Sequence, residues 1–296
     1  MLFLPTLLQL LLALQPAPAP RQAPPISFAY AAPKPQGGQL RGAIELGANG
    51  LNSFIVRIDQ HRRWQLEKAE YGRSYVLSNM ADTASTTRQV KQLLARQLAY
   101  GVPRQQVRVL ISSGAAQAGI TGQLAEALRA AGLAPVVLAP AEEAAADLAA
   151  ALPAPYAGRG FVVDIGSGNT KLIWPLPGGR VGSATTYGSH YHTSRSLRET
   201  EVLARVREQA RQVPAAQRQV CFVLGGAAYE LAQALPAAPG ARYTVMPLQP
   251  RKPAPPTGPQ QSGLALCRAI AEATGCRQFV FDRDANFTIG YFLNHL

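Results

Sequence analysis

Val162-Val-Asp-Ile-Gly-Ser-Gly-Asn-Thr-Lys171 reads as an apolar strand carrying one carboxylate, a turn of small residues, and the start of a second strand. Gly42-Ala-Ile-Glu-Leu-Gly-Ala-Asn-Gly50 has the same outline. In each copy the glycines let backbone N–H groups converge on an anion, and the adjacent carboxylate, Asp164 or Glu45, can hold a metal ion against it. The unit recurs after about 120 residues, which predicts two similar half-domains facing each other across a phosphate-binding cleft.

The patterns around each copy agree. Strand patterns at 43–46, 53–58 and 65–70 lead to a helix at 87–100, a strand at 107–113, a helix at 121–131, a strand at 135–138 and a helix at 140–151. The second half replays this with strands at 160–164, 170–174 and 181–186, a helix at 196–212, a strand at 220–224 and a helix at 227–235. A Pro-rich segment at 236–263, expected to be a solvated basic loop, precedes a helix at 264–274, a strand at 278–281 and a terminal helix. The expected architecture is α/β, a duplicated mixed sheet flanked by helices. The half-domains are placed at 40–155 and 156–296.

With 296 residues, 47% of them hydrophobic and 16% charged, the chain can bury two sizeable cores, which excludes a disordered body. The formal charge of +12 favours encounter with polyanions, although a genome rich in Arg and Ala would give the same surplus. No dense basic run interleaves with aromatics, so a dedicated nucleic-acid surface is not expected. Cys221, Cys267 and Cys276 lack metal-ligand spacing, and no disulfide framework is read from them. Residues 1–23 resemble a secretory signal's apolar core, followed by a Pro-rich linker at 24–39. Export to the periplasm or cell envelope is the first reading. A short membrane anchor, or a misplaced start codon and a cytoplasmic protein, are the others. No further membrane span is expected, and homodimerisation stays open.

The two turns, with Leu224-Gly225-Gly226 after a later strand, resemble the phosphate and adenosine motifs of the actin/sugar-kinase/heat-shock-ATPase superfold (actin-like ATPase domains). The order of segments is most similar to the exopolyphosphatase/guanosine-pentaphosphate phosphatase (Ppx/GppA) family. Its Asp-x-Gly-Ser-Asn-Ser resembles Glu45-Leu-Gly-Ala-Asn-Gly50, and its Ala-Thr-Ser-Ala-x-Arg-x-Ala resembles Ile111-Ser-Ser-Gly-Ala-Ala-Gln-Ala118. Its Ser-Gly-x-Glu-Glu-Ala resembles Ala139-Pro-Ala-Glu-Glu-Ala144, and its Asp-Ile-Gly-Gly-Gly-Ser-Thr-Glu resembles Asp164-Ile-Gly-Ser-Gly-Asn-Thr-Lys171. The family's arginine falls at Ala116, and its closing glutamate at Lys171.

The resemblance implies two ribonuclease-H-like half-domains and in-line water attack on a phosphoanhydride of polyphosphate or a nucleotide polyphosphate. It implies Glu142 or Glu143 as general base, and Mg²⁺ held at Glu45 and Asp164. The phosphate cradle would come from Gly47, Ala48, Asn49, Gly166, Ser167, Gly168 and Asn169, with Lys171 gripping phosphate as a point charge. Acids at 142 and 143 also suit the first turn of a helix without any catalytic role. The losses at Ala116 and Lys171 suit a degenerate phosphate- or nucleotide-binding member. A kinase of the superfold lacks an evident aspartate base, and an actin-like filament lacks the long insertions. His190 and His192 share a strand face as candidate metal or phosphate contacts, and Asp282-Arg-Asp284 reads as a helix cap or a cleft group.

Overall fold

The computed structural model describes residues 28–296 apart from 75, 77–79, 195, 234, 236–240 and 249–257. The expected signal or anchor at 1–23, and much of the expected basic loop, lie outside the described residues.

The first half opens with β1 (Gln39–Leu46), β2 (Leu51–Ile58) and β3 (Trp64–Glu70), an antiparallel meander. Then come α1 (Thr83–Ala99), β4 (Val107–Ile111), the single-turn α2 (Ser113–Ala116), α3 (Thr121–Ala130), β5 (Pro135–Val137) and α4 (Pro140–Ala151). β4 runs parallel to β1, and β5 to β4, giving the sheet order β3-β2-β1-β4-β5. The second half comprises β6 (Gly160–Ile165), β7 (Asn169–Pro175), β8 (Val181–Tyr187), α5 (Glu199–Ala210), β9 (Val220–Leu224), α6 (Gly226–Gln233), β10 (Tyr243–Val245), α7 (Gly258–Thr274), β11 (Gln278–Asp282) and α8 (Phe287–Asn294). Its sheet repeats the order as β8-β7-β6-β9-β11, with β10 added antiparallel at the edge. The central strands are apolar almost throughout, as strands covered on both faces must be: β6 is Gly-Phe-Val-Val-Asp-Ile and β9 is Val-Cys-Phe-Val-Leu, and every residue of both is buried.

Three large cores and a smaller one around Leu110, Leu138, Ala146 and Phe287 follow from this layering. The outer face of the first sheet packs Ile44, Leu46, Val109 and Ile111 against Val90 and Leu93 of α1 and Leu124 and Leu128 of α3. The outer face of the second packs Val163, Ile165 and Val223 against Val202 and Val206 of α5 and Leu266 and Ile270 of α7. Cys221, Cys267 and Cys276 are buried there as free thiols. Between the sheets lies a third core, in which Ala43, Phe54 and Val56 of one sheet meet Val162, Ile173 and Phe222 of the other around α4 and α8. α4 lies against β6, β7, β8 and β9, whereas α8 lies against β1 and β2, so each helix covers the sheet of the other half. The two helices are in close contact: a Cβ on Gly290 of α8 would run into the Ala146 carbonyl of α4.

Two expectations are corrected. α7 starts at Gly258, six residues before the apolar pattern at 264 suggests; a proline is at home in the first turn of a helix, and Ser262 Oγ just beyond it meets His192 Nδ1 at 3.0 Å. β10 is a three-residue edge strand inside the stretch expected as loop. Residues 28–38 form no regular element, yet they are held down. Phe28 packs edge-on against Phe222 and Tyr243 at ring separations of 5.7 and 5.2 Å, and the Gln36 amide donates to Asp59 Oδ2 at 2.9 Å. No helix among the described residues is long and apolar enough to cross a membrane.

Candidate functional site

β1 and β2 pair so that Glu45 stands opposite Asn52, and β6 and β7 pair so that Asp164 stands opposite Lys171. The duplicated hairpin therefore places one carboxylate and one nitrogen donor across the strand in each half. Asn52 Nδ2 donates to Glu45 Oε2 at 3.0 Å, and Lys171 Nζ donates to Asp164 Oδ2 at 2.8 Å. The turns beyond them, 47–50 and 166–169, meet at the centre of the molecule: a Cβ on Gly168 would lie 3.2 Å from the Gly114 carbonyl oxygen and 3.6 Å from the Ala48 Cβ. Two side-chain bonds tie the halves together there. Asn49 Nδ2 donates to the His190 ring at 2.9 Å, and Asn169 Nδ2 donates to Ser113 Oγ at 3.3 Å.

Around the turns is a cavity of about 690 Å³. Glu45, Gly47, Ala48, Asn49, Glu143, Asp164, Gly166, Ser167, Gly168, Asn169 and Lys171 all line it, so every expected site residue but one comes together. The Gly47 and Gly166 amides are spent inside their own turns, on the carbonyls of Gly50 and Asn169. The amides of Ala48, Asn49, Ser167 and Gly168 have no acceptor among the described residues, and these are the donors an anion could use.

The exception is Glu142. It is the third residue of α4, a position whose acid reaches back to the helix N-terminus, and its Oε2 accepts from the Ala139 amide at 2.9 Å on the exposed side. Glu143, the next residue, is turned inward and buried. Its Oε2 accepts from the Ser113 amide at 2.6 Å, and its Oε1 accepts from Lys171 Nζ at 2.9 Å. Of the two acids, only Glu143 can touch a molecule in the cavity.

Lys171 also departs from expectation. Its side chain is 1% exposed, and its ammonium is engaged by Asp164 and Glu143, with Asp147 Oδ2 at 4.0 Å. A lysine so committed does not reach out to grip phosphate. Burial alone would push its pKa down, but Asp164, Glu143 and Asp147 outweigh that and push it up, so the cation is permanent. The same neighbours act oppositely on the acids. Burial, then the Asp164 charge, drives Asp147 well above the carboxylate range, and burial pushes Glu45 up to about 7 despite the Asn52 hydrogen bond. Asp147 was missed in the sequence, although it lies one helical turn beyond Glu143 and so shares its face.

A buried acidic triad thus exists in the cavity: Glu143, Asp147 and Asp164. Whether it suits Mg²⁺ is decided by Lys171, whose ammonium already satisfies Asp164 and Glu143 from within the cluster. Asp164 is committed to that ammonium and Glu45 to Asn52, and the residues do not fit a divalent ion at the triad. His190 lines the cavity beside the turns, and burial lowers its pKa, leaving a neutral ring for Asn49. His192 contacts the Ser189 carbonyl and Ser262 instead, and no metal cluster among the described residues includes either histidine. Asp282 both lines the cavity and caps a turn. It receives the Asp284 and Ala285 amides, and Arg242 pairs with it at 2.8 Å while lying 3.8 Å over the Trp64 ring. At the far end of the cavity Tyr71 of the first half and Tyr229 of the second lie 5.4 Å apart, ring to ring.

No family model matches the sequence, and no curated protein matches it either. Solved structures do match in shape. The chain is similar to the Aquifex aeolicus PPX-GPPA enzyme, with TM-score 0.66 and 15% identity over 86% of this chain and 99% of that one. It is similar to an exopolyphosphatase-like protein at TM-score 0.62 and 17% identity, covering 88% of this chain and 98% of that one. The type II variant crystal structure of the Aquifex aeolicus Ppx/GppA phosphatase gives 0.60 and 14%, covering 87% and 99%. At such identities the likeness shows the fold, and it is the duplicated fold that the sequence resemblance implies.

Proposed function

We propose that this chain is a phosphoanhydride hydrolase of the Ppx/GppA type, acting on polyphosphate or a nucleotide polyphosphate. One observation carries the reading: two glycine turns with unspent amides converge on the cavity that the buried Glu143 lines. The Ala48, Asn49, Ser167 and Gly168 amides would hold phosphate oxygens, and Glu143 would accept a hydrogen bond from the attacking water and aim it in line. Phosphoryl transfer of this kind needs positioning and charge stabilisation more than covalent help. The Tyr71–Tyr229 end of the cavity offers aromatic faces to a base, which supports a nucleotide among the substrates. The net charge of +12 supports polyanion capture. Magnesium enters this reading only as a companion of the substrate chain, because Lys171 fills the triad. Export, a homodimer and the half-domain limits at 155/156 remain parts of the proposal.

The commitment of Glu143 to Lys171 favours a second reading, a phosphate-chain binder without turnover. Phosphate release from polyphosphate by the purified protein separates the two. We expect release by the wild type and a loss of about 100-fold or more in Glu143→Gln with polyphosphate binding retained. Binding by the wild type with no release would establish the second reading instead.

A further inference from the structure

One helical turn separates Glu143 from Asp147 on the inner face of α4, and the β6/β7 register sets Asp164 beside Lys171 beneath them. Helix and hairpin bring three carboxylates together with donor atoms within 4.8 Å of one another. A focus of oxygen donors on rigid elements is the arrangement by which proteins hold a hard divalent cation. In this chain a covalently attached cation stands in it, 2.8 Å from Asp164 Oδ2 and 2.9 Å from Glu143 Oε1.

The fit is incomplete, and the way it fails is informative. Asp147 lies 4.0 Å from the ammonium, too far for a hydrogen bond, and neither of its oxygens has a partner although its side chain is 1% exposed. A buried carboxyl without a partner is costly, so the donor set is larger than one ammonium can use. The sister hairpin supplies the contrast. There Glu45 faces a neutral amide, Asn52, at the matching register, and among the described residues it belongs to no such focus of three carboxylates. The charged partner stands in the half where three carboxyl groups crowd one point.

We propose that the Lys171 ammonium is a tethered substitute for a divalent cation: it fills the focus of Glu143, Asp147 and Asp164, keeps metal ions out of it, and conceals a metal site that its removal uncovers. A lysine cannot be chelated away, so charge at the focus is constant whatever the metal supply. It carries half the charge of a divalent ion and leaves Asp147 idle. The inference deepens the proposed hydrolase reading of this cleft and rests on it only for that catalytic consequence; ion binding itself needs no turnover.

Mn²⁺, which accepts oxygen ligands and is visible by electron paramagnetic resonance, is the probe. Full-length wild type, Lys171→Ser and Lys171→Ser/Asp147→Asn are titrated with it, and melting temperatures are read in parallel. The wild type is expected to show no Mn²⁺ site that depends on Asp147 and no metal-induced rise in melting temperature. Lys171→Ser is expected to bind one Mn²⁺ at least about tenfold more tightly than the double variant and to be stabilised by it, since an ion that binds only the folded state raises stability. A wild type that binds Mn²⁺ as tightly as Lys171→Ser, or a folded Lys171→Ser that gains no ion, overturns the proposal. If Lys171→Ser does not fold even with Mn²⁺ present, wild type is compared with Asp147→Asn. Mn²⁺ bound by the first and lost in the second overturns the proposal, and an equal absence of binding in both upholds it. Phosphate release is scored separately. Uncovered Mn²⁺ binding in a chain that releases no phosphate keeps this inference and removes the hydrolase reading.

Discussion

Glu45 and Asp164 hold the same station in two copies of one hairpin and have different electrostatic fates. Asp164 has an ammonium at 2.8 Å, whereas Glu45 has only an amide, and burial pushes it up to about 7. Between the ordinary value of 4.5 and about 7 the folded chain keeps a proton that the unfolded chain has released. The contribution of this group to stability therefore falls as pH rises through that window and is flat above it, a loss of about 3 kcal/mol. Asp147, also held above its ordinary value, adds to the same fall, so Glu45→Gln is expected to reduce the slope rather than abolish it, and the drop in urea midpoint between about pH 5 and pH 8 should be smaller in the variant than in the wild type. Equal slopes would show that another group is responsible. At this scale much of the site was legible in the letters. The choice between Glu142 and Glu143 was decidable from capping geometry, since Pro140 fixes the start of α4 and the third residue's acid serves the helix end. Lys171 was not decidable. Its letter says only cation, and its role depends on a helix residue 28 positions upstream that the hairpin alone does not reveal.

The elements were readable where hydrophobic period and breakers agree, and unreadable where tertiary contact supplies the stability. α4 and β9 follow from an N-terminal proline and an apolar run, but β10 has three residues in a Pro-rich stretch and exists because β11 offers it an edge. The place of α4 was likewise hidden. Its alanines suit a helix in contact all round, but they do not name the partner. That partner is α8, whose Gly290 lets the two backbones approach. Gly290→Ala is expected to force them apart and to cost about 1–3 kcal/mol despite the better helix propensity of alanine. Urea unfolding of the variant checks this, and a variant as stable as the wild type would show that the two helices separate at no cost.

For the molecule as a whole, duplication was plain in the sequence, and the way its copies are joined was not. Residues 28–38, expected as a free linker, cross both halves: Phe28 and Tyr30 join an aromatic cluster with Tyr156, Phe222 and Tyr243, while Gln36 is tied to Asp59. Nothing in a Pro/Ala-rich composition announces this, because two aromatics suffice to anchor a strap. Phe28→Ala with Tyr30→Ala is expected to destabilise the fold by about 2–4 kcal/mol, read as a lowered urea midpoint with the slope unchanged.

The exchange of α4 and α8 between the sheets also sets a calendar. β1 and β2 precede by more than 220 residues the helix that covers their inner face. Until Phe287–Asn294 is in place that face lacks this cover, so the first half closes only when an element of the second has formed.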